Sequence, residues 1–166
     1  MKKLLILLTL LTTFIIAKTI ETYYNSRFNF SIDYPSDVFV NKFFPTNGDG
    51  VILTDKSNTV TLTPSGSYMV ASDNIVEAYK LYTKWKKEDK DIELTYKVQK
   101  DNWFVFSGYN HKNNSIFYEK RFCYVDDENV SVLVGYIFEY PTKEKEKYNK
   151  WIKVFNESFV YEVDDK

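Results

Sequence analysis

Few side chains here have the type and spacing to do chemistry. His111 is the only histidine in the 166 residues, and it lies in the polar turn Asn110-His111-Lys112-Asn113. A histidine can serve as a general base or a metal ligand near neutral pH, and Ser107 or Ser115 could offer it a hydroxyl. Neither serine stands in a nucleophile-elbow pattern, and no second histidine completes a metal set. The plainer reading is an exposed turn residue. Cys123 is the only cysteine, so no internal disulfide can form. Set between Phe122 and Tyr124, it reads as a small core hydrophobe rather than a thiol nucleophile.

Carboxylates gather in two places where a hard cation such as calcium could find oxygen ligands. One is the turn Asn47-Gly48-Asp49-Gly50 with Asp55 after it, giving Asp49 and Asp55 as candidates. The other is Asp126-Asp127-Glu128, three acids at a hairpin tip. Neither has the alternating acids and terminal glutamate of a calcium loop, so plain turns are the simpler expectation. Asn129 opens an N-x-S sequon with an acid two residues before it, which makes it the candidate glycosylation site. Asn113 and Asn156 open sequons without that acid. Among the 30 aromatic residues, Tyr79, Tyr82, Tyr136 and Tyr140 are candidates for a partner-binding face if the core does not hold them. No catalytic residue and no cofactor is expected.

Composition narrows the setting. Lys2 and Lys3 precede the 13-residue apolar run Leu4 to Ile16, with small Ala17 after it, which is the form of a cleavable signal peptide. The run is short of the ~20 residues that span a bilayer. Residues 1–17 are therefore read as a signal and 18–166 as one domain, periplasmic or secreted, from a bacterium. Any membrane attachment would come through an uncleaved signal. Acids and bases are interspersed with no basic stripe, which argues against nucleic acid. The basic residues are almost all lysine, with Arg27 and Arg121 the only arginines, and this is read as compositional bias.

The elements that would position these residues follow from periodicity. In Arg27 to Asp37, Phe28, Phe30, Ile32 and Tyr34 alternate with Asn29, Ser31 and Asp33, as on a half-buried strand ended by Pro35. Lys18 to Ser26 is a lead-in. Val38 to Phe44 is a second apolar segment with Val38, Val40 and Phe43 inward. Strands follow at Val51 to Thr54 and Thr59 to Thr63. A helix capped by Ser72 or Asp73 presents Ile75, Ala78, Tyr79, Tyr82 and Trp85 on one face, and Lys86 to Asp91 is its solvated end.

Four strands then run at Ile92 to Gln99, Trp103 to Tyr109, Ser115 to Tyr124 and Val130 to Tyr140. Their short connections suit antiparallel hairpins. In the last of them Val132, Val134, Tyr136 and Phe138 oppose Leu133 and Ile137, so the strand should be covered on both faces. A helix from Lys143 to Phe159, with Thr142 as cap, aligns Tyr148, Trp151, Ile152, Phe155 and Phe159. The fold class expected is α+β, an antiparallel sheet flanked by helices in an α/β/α sandwich. The rival is a cystatin-like or NTF2-like sheet with both helices on one face.

RFNFSIDYPSD, NGDG at Asn47 to Gly50, DNWFVFSGY, the IFYEK strand and the terminal aromatic helix together resemble the PsbP-like (PsbP/MOG) family over Tyr23 to Phe159. The resemblance implies an antiparallel sheet sandwiched by helices. It also implies a protein that docks onto a larger partner, as do the extrinsic subunits of the photosynthetic oxygen-evolving complex and a nuclear Ran-binding protein. No family site maps onto a residue of this sequence. The expected function is a non-catalytic, monomeric, exported domain that docks onto a protein partner or envelope complex. The alternative is a small-ligand or metal carrier for calcium or zinc, and after it an unrecognised hydrolase.

Overall fold

The computed structural model describes residues 19–72 and 74–161. The expected signal segment, residues 1–17, and the candidate cap Asp73 lie outside the described residues. No described helix is long and apolar enough to cross a membrane.

Strand β2 (Phe30–Pro35) follows the alternation of its sequence, with Phe30, Ile32 and Tyr34 buried. It pairs with β1 (Ile20–Asn25), which the sequence reads only as a lead-in. Most of β1 is exposed, so it shows no apolar alternation; its signal is the ladder itself and polar pairs such as Thr22 Oγ1 to Asp33 Oδ1 at 2.6 Å. After Pro35 the backbone makes a helical turn, with the Val38 and Phe39 amides both on Pro35 O. That turn breaks the period-two phase. Phe39 goes inward, whereas Val40 and Phe43, expected inside, are 52% and 62% exposed.

The main sheet has seven antiparallel strands. They are β3 (Asn41–Phe43), β4 (Ile52–Thr54), β5 (Thr61–Tyr68), β6 (Ile92–Lys100), β7 (Trp103–Asn110), β8 (Ser115–Val125) and β9 (Ser131–Pro141), in spatial order β3-β4-β5-β9-β8-β7-β6. Strand β5 continues through Pro64 to Tyr68, past the expected end at Thr63. The Pro64 carbonyl faces Val51, so its missing amide hydrogen also points to that side, beyond the end of β4, and the ladder to β9 loses nothing.

Helix α1 (Ile75–Glu88) is capped by Asn74, whose side chain takes the Val76 and Glu77 amides, rather than by Ser72. It covers one face of the sheet, with Ile75 and Ala78 against Phe104, Phe106, Phe117 and Leu133. The terminal helix is not continuous. A 3-10 turn (Thr142–Glu144) leads into α2 (Lys145–Tyr148) and α3 (Trp151–Ser158), because the backbone tightens at Asn149 to an i→i+3 bond from the Ile152 amide. Thr142 lies within that first turn, and its hydroxyl does not cap it. Helices α2 and α3 share the second face with a small sheet, β1-β2-β10, in which β10 (Val160–Tyr161) returns to β2. Val132, Val134, Tyr136 and Phe138 face this larger core and Leu133 the smaller one, so β9 is covered on both sides. The fold is the α+β antiparallel class, with helices on opposite faces.

Tyr136 and Tyr140 are 0% exposed. They are core tyrosines and cannot form a docking face in this fold. The Tyr136 hydroxyl has no hydrogen-bond partner among the described residues, and burial pushes its pKa far above the ordinary tyrosine value. A buried hydroxyl without a partner costs roughly 1–3 kcal/mol. Tyr136→Phe is therefore expected to leave stability unchanged or raise it by about 1 kcal/mol, read as the urea midpoint at constant m. A loss of stability would mean that the hydroxyl has an acceptor.

Candidate functional site

Helix α1 makes most of its sheet contacts with β6 and β7. The pairing register shows which residues share its face of the sheet. One cross-strand row, with the β4–β5 register carried one residue on to set Ile52 beside Thr63, reads Phe43, Ile52, Thr63, Ile137, Glu119 and Phe106. The next reads Ser65, Gly135, Arg121 and Phe104. Phe106 and Phe104 lie under α1, whereas Ile52, Thr63, Ser65 and Ile137 are only half-buried and Phe43 is exposed. From β9 to β3 this is three inter-strand spacings, about 14 Å of open sheet beside α1.

At the boundary between covered and open sheet lies a cleft of about 370 Å³. Tyr82, Trp85 and Lys86 of α1 form its wall, with Asp89 and Ile92 at one end. Glu119, Arg121 and Ile137 form the floor. Glu119 is 2% and Arg121 8% exposed. Arg121 Nε donates to Glu119 Oε1 at 3.0 Å, and Lys86 Nζ makes an ion pair with Glu119 Oε2 at 2.7 Å. Gly135 lies between β8 and β5 in this row and has no side chain, so the guanidinium passes over it, and Arg121 Nη1 donates to Ser65 Oγ at 2.9 Å. A Cβ at Gly135 would stand 2.0 Å from Lys120 O, so the strands also need a glycine there.

Burial alone would push the Glu119 carboxyl up. Arg121 and Lys86 outweigh that and hold it below the usual carboxylate range. Lys86, read from the sequence as part of a solvated helix end, instead folds inward with its Nζ 4.8 Å from the Phe117 ring centroid. Burial pushes the Tyr82 phenol up, and the neighbouring Arg121 opposes that push. Trp85 is 50% exposed and touches Tyr82, with ring centroids 5.2 Å apart.

A second hollow, about 500 Å³, opens at the far end of the same sheet around Glu139. Three donors converge on Glu139 Oε1: Asn110 Nδ2 at 3.2 Å, Asn113 Nδ2 at 3.1 Å, and the Ser115 hydroxyl. His111 and Ser115 line a smaller adjoining hollow but make no hydrogen bond to each other. His111 Nε2 instead lies 2.9 Å from Glu93, exposed and stacked near Tyr109. Ser107 Oγ donates to Phe117 O. The structure thus brings Ser115 and His111 close without joining them into a nucleophile and base. Cys123 is half-buried with Sγ 3.3 Å from Met69 Sδ, and burial pushes its thiol pKa up.

Three of the carboxylates considered for metal, Asp49, Asp55 and Asp126, do local work. Asp49 pairs with Arg27 at 2.7 Å. Asp55 takes the Thr59 and Val60 amides on Oδ1 and the Ser57 hydroxyl on Oδ2. Burial raises its pKa, but those bonds outweigh it and leave the carboxyl below its usual range. Asp126 takes the Glu128 and Val130 amides, closing the hairpin whose exposed tip holds Asp127, Glu128 and Asn129. Among the described residues no group of three or more His, Cys, Asp or Glu is placed to hold a metal ion. Tyr79 stacks on Phe106 beneath α1, with ring planes 2° apart, leaving Tyr82 as the expected tyrosine that opens onto the cleft. Arg121, Glu119, Lys86 and Trp85 are the residues of this site that sequence reasoning did not select.

No protein-family model matches the sequence, and no curated protein matches it. Solved structures do match by shape. The cyanobacterial PsbP of Synechocystis superposes with a TM-score of 0.64 at 11% identity, covering 89% of this protein and 95% of that one. The Saccharomyces cerevisiae Ran-binding protein Mog1p superposes with a TM-score of 0.51 at 8% identity, covering 87% and 96%. The protein has the PsbP/Mog1p fold.

Proposed function

We propose that this protein is a non-catalytic protein-binding domain, exported by residues 1–17 as a monomer and docked onto a partner in the bacterial envelope. The observation that carries this reading is the open half of the sheet beside α1. Its row Phe43, Ile52, Thr63 and Ile137, apolar but for the threonine, leads to half-exposed Trp85 above a buried arginine. Tryptophan, tyrosine and arginine around a desolvated pocket are the residue types that dominate binding energy at protein interfaces. About 14 Å of open sheet also leaves room for one more helix beside α1 at the usual 8–10 Å spacing. The fold lends support, because Mog1p is a Ran-binding protein. The cell compartment rests on the N-terminal sequence alone.

The test is quantitative capture of a stoichiometric envelope partner by the wild-type protein and by surface variants. Trp85→Ala is expected to weaken capture by about 30-fold, the value of a ~2 kcal/mol hot spot, with little change in thermal midpoint. Tyr24→Ala, at an exposed aromatic of the other sheet, should leave capture intact. Equal losses in the two variants, or no stoichiometric partner at all, would count against this surface. The carrier reading has one specific support, the Glu139 hollow. A rise in melting temperature with calcium or zinc that Glu139→Gln removes would favour it instead.

A further inference from the structure

We propose that the cleft over Arg121 receives a single carboxylate presented by the partner, an aspartate or glutamate side group or a terminal α-carboxylate. This rests on the protein-binding reading above and names the partner's chemistry at that surface. Glu119 spends one oxygen on Arg121 and the other on Lys86. One carboxylate therefore faces two cations, both largely withdrawn from solvent at 10% and 20% side-chain exposure. A surplus buried charge is costly unless something pairs with it.

The guanidinium is only partly satisfied. Nε serves Glu119 and Nη1 serves Ser65, and the Nη2 side of the fork has no acceptor among the described residues. The Tyr82 hydroxyl, on the wall of the same cleft, also has no partner among the described residues. A planar carboxylate matches the guanidinium fork in geometry. It also matches in charge. At the floor of the cleft one added negative charge balances the two cations that face Glu119, with Asp89 exposed to water at the rim, while a phosphate dianion would place excess negative charge beside Glu119. Asp89 is engaged at the end of α1, where its Oδ1 accepts the Asp91 amide.

The scarcity of arginine makes the test direct. The full-length 15N-labelled protein gives side-chain Nε–H signals from Arg27 and Arg121 only, with Trp85 as a reporter on the cleft wall. Sodium acetate and then inorganic phosphate are titrated at constant ionic strength. Acetate is expected to shift the Arg121 and Trp85 signals along saturating curves while Arg27 stays flat. Arg121→Lys, which keeps the charge and loses the fork, should weaken acetate binding by about tenfold. If that variant fails to fold, Tyr82→Phe, which removes only the free hydroxyl, should show a smaller weakening. Shifts at Arg121 that do not saturate, or that match those at Arg27, would overturn the proposal. So would tighter binding of phosphate than of acetate. The acetate curves do not depend on capturing a partner, so a captured partner with no acetate site would remove this proposal and leave the docking reading standing.

Discussion

Glu119→Gln is expected to destabilise the protein by roughly 3–5 kcal/mol at neutral pH, the cost of leaving a buried ion cluster without one partner. Glutamine keeps the shape and one acceptor oxygen, so the loss measures charge rather than packing. The cost divides unequally. Lys86 sits at 20% side-chain exposure on a flexible stem near a helix end and can turn out to water. Arg121, at 10%, is held over Gly135 by Ser65 and cannot. The value should therefore fall toward the lower end of the range.

The pH dependence has a definite sign. The folded-state pKa of Glu119 lies below its unfolded value near 4.5, so its contribution is present in full above that value and drains away as pH falls through the folded one. The gap between wild type and Glu119→Gln should be constant from pH 8 to 6 and close only in acid. Urea midpoints across that range check it. A gap that persists unchanged to pH 3 would mean that residue 119 acts through shape alone.

The parts of the fold that were legible are those where one face is buried and the other wet. The alternation of β2, the paired faces of β9, the α1 stripe and the aromatic stripe from Tyr148 to Phe159 are direct consequences of burial, and the sequence carries them openly. What escaped was set by other physics. Strand β1 lies outside the core and exists through its ladder to β2, which leaves no hydrophobic trace. The phase of β3 was lost in the turn after Pro35, which depends on two backbone bonds. The strand expected to end at Thr63 runs on through Pro64, whose harmlessness depends on which neighbour its nitrogen faces.

The candidate site was less legible, although a signal was present. Glu119 and Arg121 stand two apart in β8, on the face that also carries Phe117 and Cys123. A charged pair on an otherwise apolar strand face must be buried together or not buried at all. Arg121 is also one of only two arginines among many lysines, at a place where a planar fork does what a lysine cannot. Lys86 could not have been read from its own surroundings, where every neighbouring charge suggested solvent. Only the placement of α1 over Phe117 turns it inward.

Phe155→Ala is expected to cost about 3–5 kcal/mol, the range for deleting a fully buried phenyl ring. Phe155 is 0% exposed and joins the layers on the second face of the sheet. Its ring meets Phe138 at 5.0 Å, Tyr136 at 5.9 Å, Trp151 at 6.1 Å and Phe39 at 6.2 Å. Those partners come from β9, from α3 and from the turn after β2, so the cavity left by alanine cannot collapse by moving one element. Each would have to shift against a separately anchored neighbour, which places the loss in the upper half of the range. Equilibrium unfolding should show a lower midpoint with an unchanged m-value, the mark of lost stability in an intact fold. Arg121 and Trp85 lie on the opposite face of the sheet. Acetate binding by the folded fraction of Phe155→Ala should therefore match wild type, whereas Glu119→Gln should alter it. If the Phe155 deletion changed the cleft as strongly as the Glu119 substitution, the two faces of the sheet would have to be coupled, and β9, lined on both sides, is the strand through which that coupling would pass.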